Sequence, residues 1–206
     1  MYKLYTRPGS GGFVAEAAFA LADVPYERIN VPKSEAADPQ FRKVSPLGQV
    51  PVLALPEGGT MTESAAICIL LGERHPEAGL APGLGDAARA DFLRWMAFLS
   101  SALYPAILRR YYAPRYTADP EGRAAVEDAA TAEIDRHLAI VDAELASRDW
   151  LVGDRLSLAD VYLLMLYSWH PEPGKARAAF PNVEHVCEGL RQHPVLRELN
   201  AAHEMW

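Results

Sequence analysis

Strands are predicted only within the first 61 residues of this chain of 206, and this uneven distribution constrains the fold more than any other feature. Residues 2–5 form a short strand-like segment, residues 13–22 carry an apolar helical pattern, and residues 26–31 resume a strand. Two strands joined by a helix form a right-handed βαβ unit, in which the strands run parallel. The chain therefore begins with a parallel pair of strands and a crossover helix.

A second group of strands follows a polar stretch and a short helical piece near Phe41. Residues 51–55 and 60–61, joined by a Pro-Glu-Gly-Gly turn, predict a β-hairpin. Thr62 is the predicted N-cap of a helix that runs towards Gly72. The order βαβ-α-ββα fits a four-stranded mixed sheet with helices on its faces, as in a thioredoxin-like domain.

From residue 86 onward the apolar residues follow helical spacing only. Ile134 begins a 4-3-4 pattern of apolar positions, Pro105 is expected to kink an earlier helix, and Ser157 is expected to start a later one. The segment 76–85 holds two prolines and three glycines, which is typical of a domain boundary. We therefore predict an α/β thioredoxin-like domain over residues 1–77 and an all-α domain over residues 86–206.

Charge and cysteine content exclude several classes of protein. The 20 Lys and Arg against 27 Asp and Glu give a net charge of −7, which argues against nucleic acid or an anionic membrane as the main partner. The two cysteines, Cys68 and Cys187, are too few and too far apart for a disulfide scaffold or a zinc site. The apolar runs are far shorter than the roughly 18 residues of a membrane helix. We expect a cytoplasmic protein without a metal site.

Pro51 stands where the predicted hairpin begins. One interpretation is an ordinary loop that enters a strand, where the missing N–H of proline costs least. The other is a cis Val50–Pro51 bond that turns the N–H and C=O of Val50 outward, where they pair with an extended peptide as another strand would.

Glu63 and Ser64 follow at the start of the next predicted helix. A helix N-terminus attracts carboxylates, Ser64 adds a hydroxyl donor, and Glu63 can accept an ammonium group. Together they suit the head group of an α-amino acid. The alternative is that both residues only stabilise the start of the helix.

Several short motifs occur in the order in which one enzyme family carries them. They are Ser-Pro-Leu-Gly-Gln-Val-Pro-Val-Leu at residues 45–53, Thr-Glu-Ser-Ala-Ala-Ile at 62–67, Gly-Glu-Arg-His-Pro at 72–76, Leu-Val-Gly-Asp at 151–154, Ser-Leu-Ala-Asp at 157–160, Phe-Pro-Asn-Val at 180–183 and His-Pro at 193–194. This set resembles the cytosolic glutathione S-transferases of the bacterial type.

The resemblance implies both a site and a reaction. It implies that the Val50–Pro51 bond is cis, that Glu63 and Ser64 hold the γ-glutamyl end of glutathione, and that Gln49 is a further contact. The implied activity is a detoxifying transferase that activates the thiol of its co-substrate glutathione and adds it to a small, electrophilic, largely apolar molecule, without a metal. The family also implies a homodimer.

The group that activates the thiol departs from the family pattern. Residues 8–12 read Pro-Gly-Ser-Gly-Gly and resemble a bacterial form in which a cysteine stands where this chain has Gly11. Ser10 is the predicted catalytic residue, because a hydroxyl that donates to the sulfur lowers the pKa of the thiol. Thr6, Tyr5 and the backbone N–H groups of Gly11 and Gly12 are the alternatives. The same glycines do not form a dinucleotide-binding motif, because the third glycine position is a valine and no acidic residue ends the second strand.

The helical domain is expected to supply the second-substrate side. We predict that this pocket is lined by Tyr104, Arg109, Tyr112 and Trp169. At most one of two adjacent tyrosines on a helix, Tyr111 and Tyr112, is expected to face it.

Two further predictions concern the helical domain and the function. Ser157 and Asp160 match a capping box, which is a structural role. Two other functions stay open, the second of them because Gly11 replaces the cysteine. One is a glutathione-dependent isomerase, dehalogenase or reductase, and the other is a non-catalytic glutathione-binding module.

Overall fold

A computed structural model describes residues 1–206. It divides into two compact units, the first made of Met1–Ala87 with Arg191–Trp206 and the second of Ala88–Leu190. The strands and helices of the first unit are β1 (Tyr2–Thr6), α1 (Gly12–Leu21), β2 (Tyr26–Asn30), β3 (Val52–Ala54), β4 (Thr60–Met61), α2 (Ser64–Arg74) and α9 (Pro194–His203).

The four strands of the first unit form one mixed sheet in the order β2-β1-β3-β4. β1 and β2 are parallel, with Leu4 opposite Arg28, as the βαβ pattern predicts. β3 runs antiparallel to β1 and to β4, with Leu53 opposite both Leu4 and Met61. The thioredoxin-like fold predicted for the N-terminal part is thereby confirmed.

α1 forms the centre of this unit and is buried from Gly12 to Phe19. Phe13 and Phe19 are almost completely buried, and the ring of Phe19 stacks on Tyr26 with the centroids 4.5 Å apart. α1 also packs against α2 and α9. A helix this apolar is stable only inside a core, where the sheet and two helices cover its sides.

The second unit contains helices and no strand. Its helices are α3 (Arg89–Phe98), α4 (Tyr104–Tyr111), α5 (Arg123–Leu145), α6 (Leu158–Tyr167), α7 (Pro173–Ala179) and most of α8 (Pro181–Gln192). The predicted apolar stripe of α5, from Ile134 to Leu145, is buried. α3 and α4 are joined by a π-helical turn at Leu99–Leu103, directly before the Pro105 that was expected to disturb the helix. The all-α character of this part is confirmed.

The start of α6 is a buried capping box. Ser157 Oγ accepts a hydrogen bond from the N–H of Ala159, and the Asp160 carboxylate accepts bonds from the N–H and hydroxyl of Ser157 at 2.9 and 2.8 Å. A second oxygen of Asp160 accepts the N–H of Leu151 at 2.8 Å. Burial raises the pKa of Asp160 to about 6, against these hydrogen bonds, which lower it. Asp160 is therefore a structural residue, as its motif indicates.

Two local features differ from the sequence-based prediction. The last sixteen residues, Arg191–Trp206, belong to the first compact unit, whereas the sequence places them with the helices that precede them. α2 begins one residue later than expected, so Glu63 and not Thr62 is its N-cap. None of the helices is long and apolar enough to cross a membrane.

Candidate functional site

Three segments meet at one edge of the sheet. Because β3 is antiparallel to β1 and β4, its beginning lies at the same edge as the ends of β1 and β4. The Ser10 loop (residues 7–12) follows β1, the Val50–Pro51 bond precedes β3, and Glu63 follows β4. The topology therefore brings together the N-terminal residues that the sequence proposes as a site.

The peptide bond between Val50 and Pro51 is cis, as the resemblance implies. Pro51 is buried and Val50 is half-buried, packed against an apolar cluster of Val31, Phe41 and Val52. This packing holds the backbone of Val50 in place at the start of β3.

A tight turn before Val50 is closed by Ser45. The hydroxyl of Ser45 donates to the carbonyl of Gln49 at 2.7 Å and accepts the N–H of Gln49 at 2.9 Å. Gly48 adopts a φ of +66°, and a Cβ built on it would lie 2.1 Å from the carbonyl oxygen of Ala36. Only glycine fits there, and the turn leaves the side chain of Gln49 exposed.

The Gly48→Ala variant should lose both stability and the shape of this turn. We expect a loss of about 2–4 kcal/mol, because a positive φ costs an L residue about 1–2 kcal/mol and the clash with Ala36 adds to it. Gly153→Ala is the matched control, since Gly153 has a φ of +64° but only an ordinary contact of 3.8 Å with Ala88. Urea unfolding measures both. Equal losses in the two variants would contradict the role assigned to the contact with Ala36.

Glu63 stands at the N-terminus of α2 in a strained backbone conformation. Its φ is +68° and its ψ 101°, its side chain is exposed, and its carbonyl accepts the N–H of Ile67 at 2.9 Å. Such a conformation costs a residue other than glycine about 1–3 kcal/mol and is concentrated at functional sites. Ser64, the first helical residue, is 7% exposed. Glu63 is thus a strained, exposed residue whose side chain makes no capping hydrogen bond to α2.

The Ser10 loop is closed by its own hydrogen bonds. Ser10 Oγ donates to the carbonyl of Arg7 at 2.7 Å and accepts the N–H of Gly12 at 3.2 Å. The N-cap of α1 is Gly11, which has no side chain to satisfy the first N–H groups. Ser10 is half-buried, so part of its surface is accessible to solvent.

Two alternative thiol activators occupy different positions. Thr6 is fully buried, and its hydroxyl proton is donated to Glu16 at 2.8 Å. Tyr5 is half-buried with its ring 6.2 Å from that of Phe41. The hydroxyl of Thr6 is thus already engaged inside the core.

A buried carboxylate beneath the Ser10 loop was not predicted from the sequence. Glu16 is 1% exposed and accepts four hydrogen bonds: from Thr6 at 2.8 Å, Arg28 Nε at 2.8 Å, Tyr26 OH at 3.3 Å and His203 Nε2 at 3.1 Å. Burial opposes its ionisation, but the bonds from His203, Arg28 and Thr6 outweigh burial and lower its pKa below the ordinary 4.5. Burial beside this carboxylate raises the pKa of Tyr26 to about 12. The only signal in the sequence was one Glu inside an otherwise apolar helix.

In the helical unit, the predicted second-substrate residues contact aromatic and charged neighbours. Tyr104 and Trp169 lie together with ring centroids 5.5 Å apart. Arg109 forms an ion pair with Glu133 of α5, and the ring of Tyr112 lies 4.1 Å from the guanidinium of Arg115. Tyr111, which the sequence did not select, donates its hydroxyl proton to the carbonyl of Trp169 at 2.9 Å. Cys68 and Cys187 are buried, and burial raises the pKa of the Cys68 thiol, which agrees with a core position.

Comparison with known proteins decides the family. Two family models match, the N-terminal domain of glutathione S-transferase over residues 15–74 and the C-terminal domain over residues 95–194. The chain is also 31% identical over its whole length, and over the whole length of the relative, to the uncharacterized GST-like protein YncG of Escherichia coli K12. The chain belongs to the glutathione S-transferase family.

Two further similarities bear on function. A sphingomonad glutathione S-transferase complexed with glutathione superposes with a TM-score of 0.86 at 29% identity, covering 99% of this chain and 100% of that one. The maleylacetoacetate isomerase of Pseudomonas aeruginosa is 28% identical over 98% of this chain and 97% of its own. The family model of the N-terminal domain includes Val50, Glu63 and Ser64 but begins after Ser10.

Proposed function

We propose that this member of the glutathione S-transferase family is a glutathione transferase that binds glutathione at the sheet edge formed by the Ser10 loop, Val50 and Glu63. The observation that carries the proposal is the strained conformation of Glu63 at the N-terminus of α2, at the same edge as the cis Val50–Pro51 bond. Strain of this kind is retained where a residue has to present its side chain to a ligand.

The amino-acid end of glutathione suits this edge chemically. Its carboxylate is attracted by the hydroxyl of Ser64 and by the N–H groups at the positive end of the α2 dipole. Its ammonium group pairs with the exposed carboxylate of Glu63. The backbone of the tripeptide pairs with the N–H and C=O of Val50 in the manner of an added strand, and Gln49 and Pro51 line the same side.

The sulfur is assigned to the Ser10 loop. The hydroxyl of Ser10 turns from the Arg7 carbonyl to donate to the sulfur, which lowers the pKa of the thiol so that its proton leaves to solvent. The thiolate then attacks an electrophilic carbon: a C–S bond forms, and the leaving group departs with the bonding electrons or an activated double bond accepts them. Catalysis thus comes from thiolate formation and proximity.

The electrophile is assigned to apolar side chains of the helical unit. Tyr104 and Trp169 form the aromatic cluster that best suits a largely apolar molecule, and Tyr111 is fixed to it through the carbonyl of Trp169. Arg109 and Tyr112 are retained as candidates. A detoxifying role, a cytoplasmic location and a homodimer complete the proposal.

A second candidate function is isomerisation, which the similarity to the isomerase of Pseudomonas aeruginosa favours. An isomerase adds glutathione to a double bond and then eliminates it, so glutathione is not consumed. A transferase consumes one glutathione for each product. Counting free thiols during turnover of a general electrophile and of an unsaturated acid distinguishes the two. Binding without either reaction would indicate the non-catalytic module.

Binding is tested by the protection that glutathione gives against heat. We expect Glu63→Ala or Ser64→Ala to weaken glutathione binding about tenfold or more, because a hydrogen bond to a charged group contributes about 1.5–3 kcal/mol. Glu77→Ala is the control, since Glu77 is an exposed acid just beyond the far end of α2. Undiminished protection in both variants would refute the assignment of this edge.

The Glu63→Gly variant separates strain from binding. Glycine adopts the positive φ freely, so we expect the free energy of unfolding to rise by about 1 kcal/mol while glutathione binding is lost as in Glu63→Ala. Urea unfolding with and without glutathione measures both. A stability equal to or below that of the wild type would contradict the strain at Glu63.

A further inference from the structure

The end of α9 lies against the Ser10 loop and the first turns of α1. The carbonyl oxygen of His203 lies 3.7 Å from the position that a Cβ on Gly9 would occupy. The imidazole of His203 packs edge-on against the ring of Phe13, with the ring centroids 5.2 Å apart. Its Nε2 lies 3.1 Å from Glu16 Oε1. These three contacts, at positions 9, 13 and 16, lie on both sides of Ser10 in the chain.

The contact with Glu16 reaches the Ser10 loop through Thr6. The carboxylate oxygen that His203 contacts also accepts the hydroxyl proton of Thr6. A Cβ on Gly12 would lie 2.0 Å from Thr6 Oγ1, so the first residue of α1 rests directly on this hydroxyl. The N–H of Gly12 in turn donates to Ser10 Oγ. Displacement of Glu16 would therefore release the support beneath Ser10.

His203 is buried in the position from which it contacts Glu16. Its side chain is fully buried, and a carboxylate only accepts, so Nε2 carries the proton and donates it. Asn200 fixes the residues that follow, accepting the N–H of Met205 at 2.8 Å and donating to the carbonyl of Trp206 at 2.9 Å. The ring of Trp206 also packs edge-on against that of Phe13, with the ring centroids 5.5 Å apart.

We propose that His203 is a positioning residue for the Ser10 loop and acts on it through Glu16. The inference rests on the proposed function, because it assigns to α9 a part in activating the glutathione thiol. Two physical effects act in the same direction. The hydrogen bond to Glu16 holds Thr6, Gly12 and Ser10 in their relative positions. It also offsets a buried negative charge that would otherwise oppose the formation of a thiolate in the Ser10 loop. The other groups that face this carboxylate are Thr6, Arg28 and Tyr26, and a substitution of His203 alters none of them chemically.

The test compares His203→Leu with His203→Gln. Leucine removes the donor, whereas the amide N–H of glutamine takes the place of Nε2–H. With His203→Leu we expect the pKa of the bound glutathione thiol, measured by thiolate absorbance, to rise by about one unit. The kcat at neutral pH should fall about tenfold, while the affinity for glutathione, set at Val50, Glu63 and Ser64, changes little. His203→Gln should restore the wild-type titration.

A variant of similar instability excludes a general loss of structure. Leu71 is buried near the end of α2, two turns from Ser64, and Leu71→Ala should destabilise the protein without moving the thiol titration. Hydrogen exchange gives a second readout that needs no glutathione. The N–H groups of Gly12 and Phe13, which donate to Ser10, should exchange about tenfold faster in His203→Leu than in the wild type, and no faster in Leu71→Ala.

The outcomes separate this inference from the proposed function. An unchanged thiol pKa and unchanged exchange in His203→Leu would overturn the role of His203 and leave the transferase standing. If the wild type forms no thiolate below the pKa of free glutathione, the proposed function fails, and the role of His203 in the loop is then decided by exchange alone. An equal rise in thiol pKa in Leu71→Ala would show that His203 has only a structural role.

Discussion

The Ser10→Ala variant is expected to bind glutathione with its thiol largely protonated at neutral pH. One hydrogen bond to a charged sulfur contributes about 1.5–3 kcal/mol, which at 1.36 kcal/mol per unit raises the pKa of the bound thiol by one to two units towards the value of about 8.5 for a free thiol. Transfer to a general electrophile should fall about 10- to 100-fold at neutral pH. The affinity for glutathione should change less, because its other end is held elsewhere.

Two variants make this measurement specific to Ser10. Ser10→Thr keeps a hydroxyl and should titrate close to the wild type, while Thr6→Val removes the hydroxyl that donates to Glu16 and tests the buried alternative. In the structure Ser10 Oγ donates to the carbonyl of Arg7, so under the proposed mechanism this hydroxyl has to turn towards the sulfur. An unchanged titration and rate in Ser10→Ala would show that the activator is elsewhere, with Thr6, Tyr5 and the N–H groups of Gly11 and Gly12 as the candidates.

The Glu16→Ala variant is expected to lose about 3–5 kcal/mol of stability, a large part of the 5–15 kcal/mol of a typical domain. The substitution removes the acceptor of four hydrogen bonds and leaves the imidazole of His203 and the hydroxyl of Thr6 buried without it. Arg28, which is about one-third exposed, turns to solvent at lower cost. Urea unfolding measures the loss, and Glu27→Ala is the control, because Glu27 pairs with Lys3 where both are well exposed. Equal losses in the two variants would contradict the importance of the buried cluster.

The stability that Glu16 contributes should also depend on pH. Because its pKa in the folded protein lies below the ordinary 4.5, the contribution is fully present above that value and is lost as the pH falls through the lower, folded value. The difference in unfolding free energy between the wild type and Glu16→Gln should therefore shrink as the pH is lowered below about 4.5. A difference that stays constant down to acid pH would contradict a pKa of Glu16 that is lower in the folded protein than in the unfolded chain.

The fold was predictable because its signals are local. The βαβ pattern, the hairpin after Pro51 and the capping box at Ser157 each depend on residues a few positions apart, and the structure contains all three. The candidate residues Val50 and Glu63 could be proposed for the same reason, because they stand at boundaries between predicted elements and the sequence carries signals for such boundaries.

Contacts between distant positions were not predictable. Glu16 and His203 are 187 positions apart, and nothing in either neighbourhood indicates that they meet. The choice between Tyr111 and Tyr112 likewise depends on how α4 is rotated, and the structure places Tyr111 on the carbonyl of Trp169. The conformation of Glu63 also came from the fold, because a positive φ at a glutamate is imposed by the surrounding structure and not favoured by the residue.

The sequence by itself determined three things. They are the order of the strands and helices, the change from a mixed strand and helix pattern to purely helical spacing of the apolar residues, and the motifs at the edge of the sheet. All of these follow from backbone geometry over a few residues and from the burial of apolar side chains. Only the tertiary structure decided that residues 191–206 join the N-terminal unit and that a buried carboxylate lies under the Ser10 loop. The physical reason is that a buried charge is stable only when several donors converge on it, and here they come from two strands and the last helix.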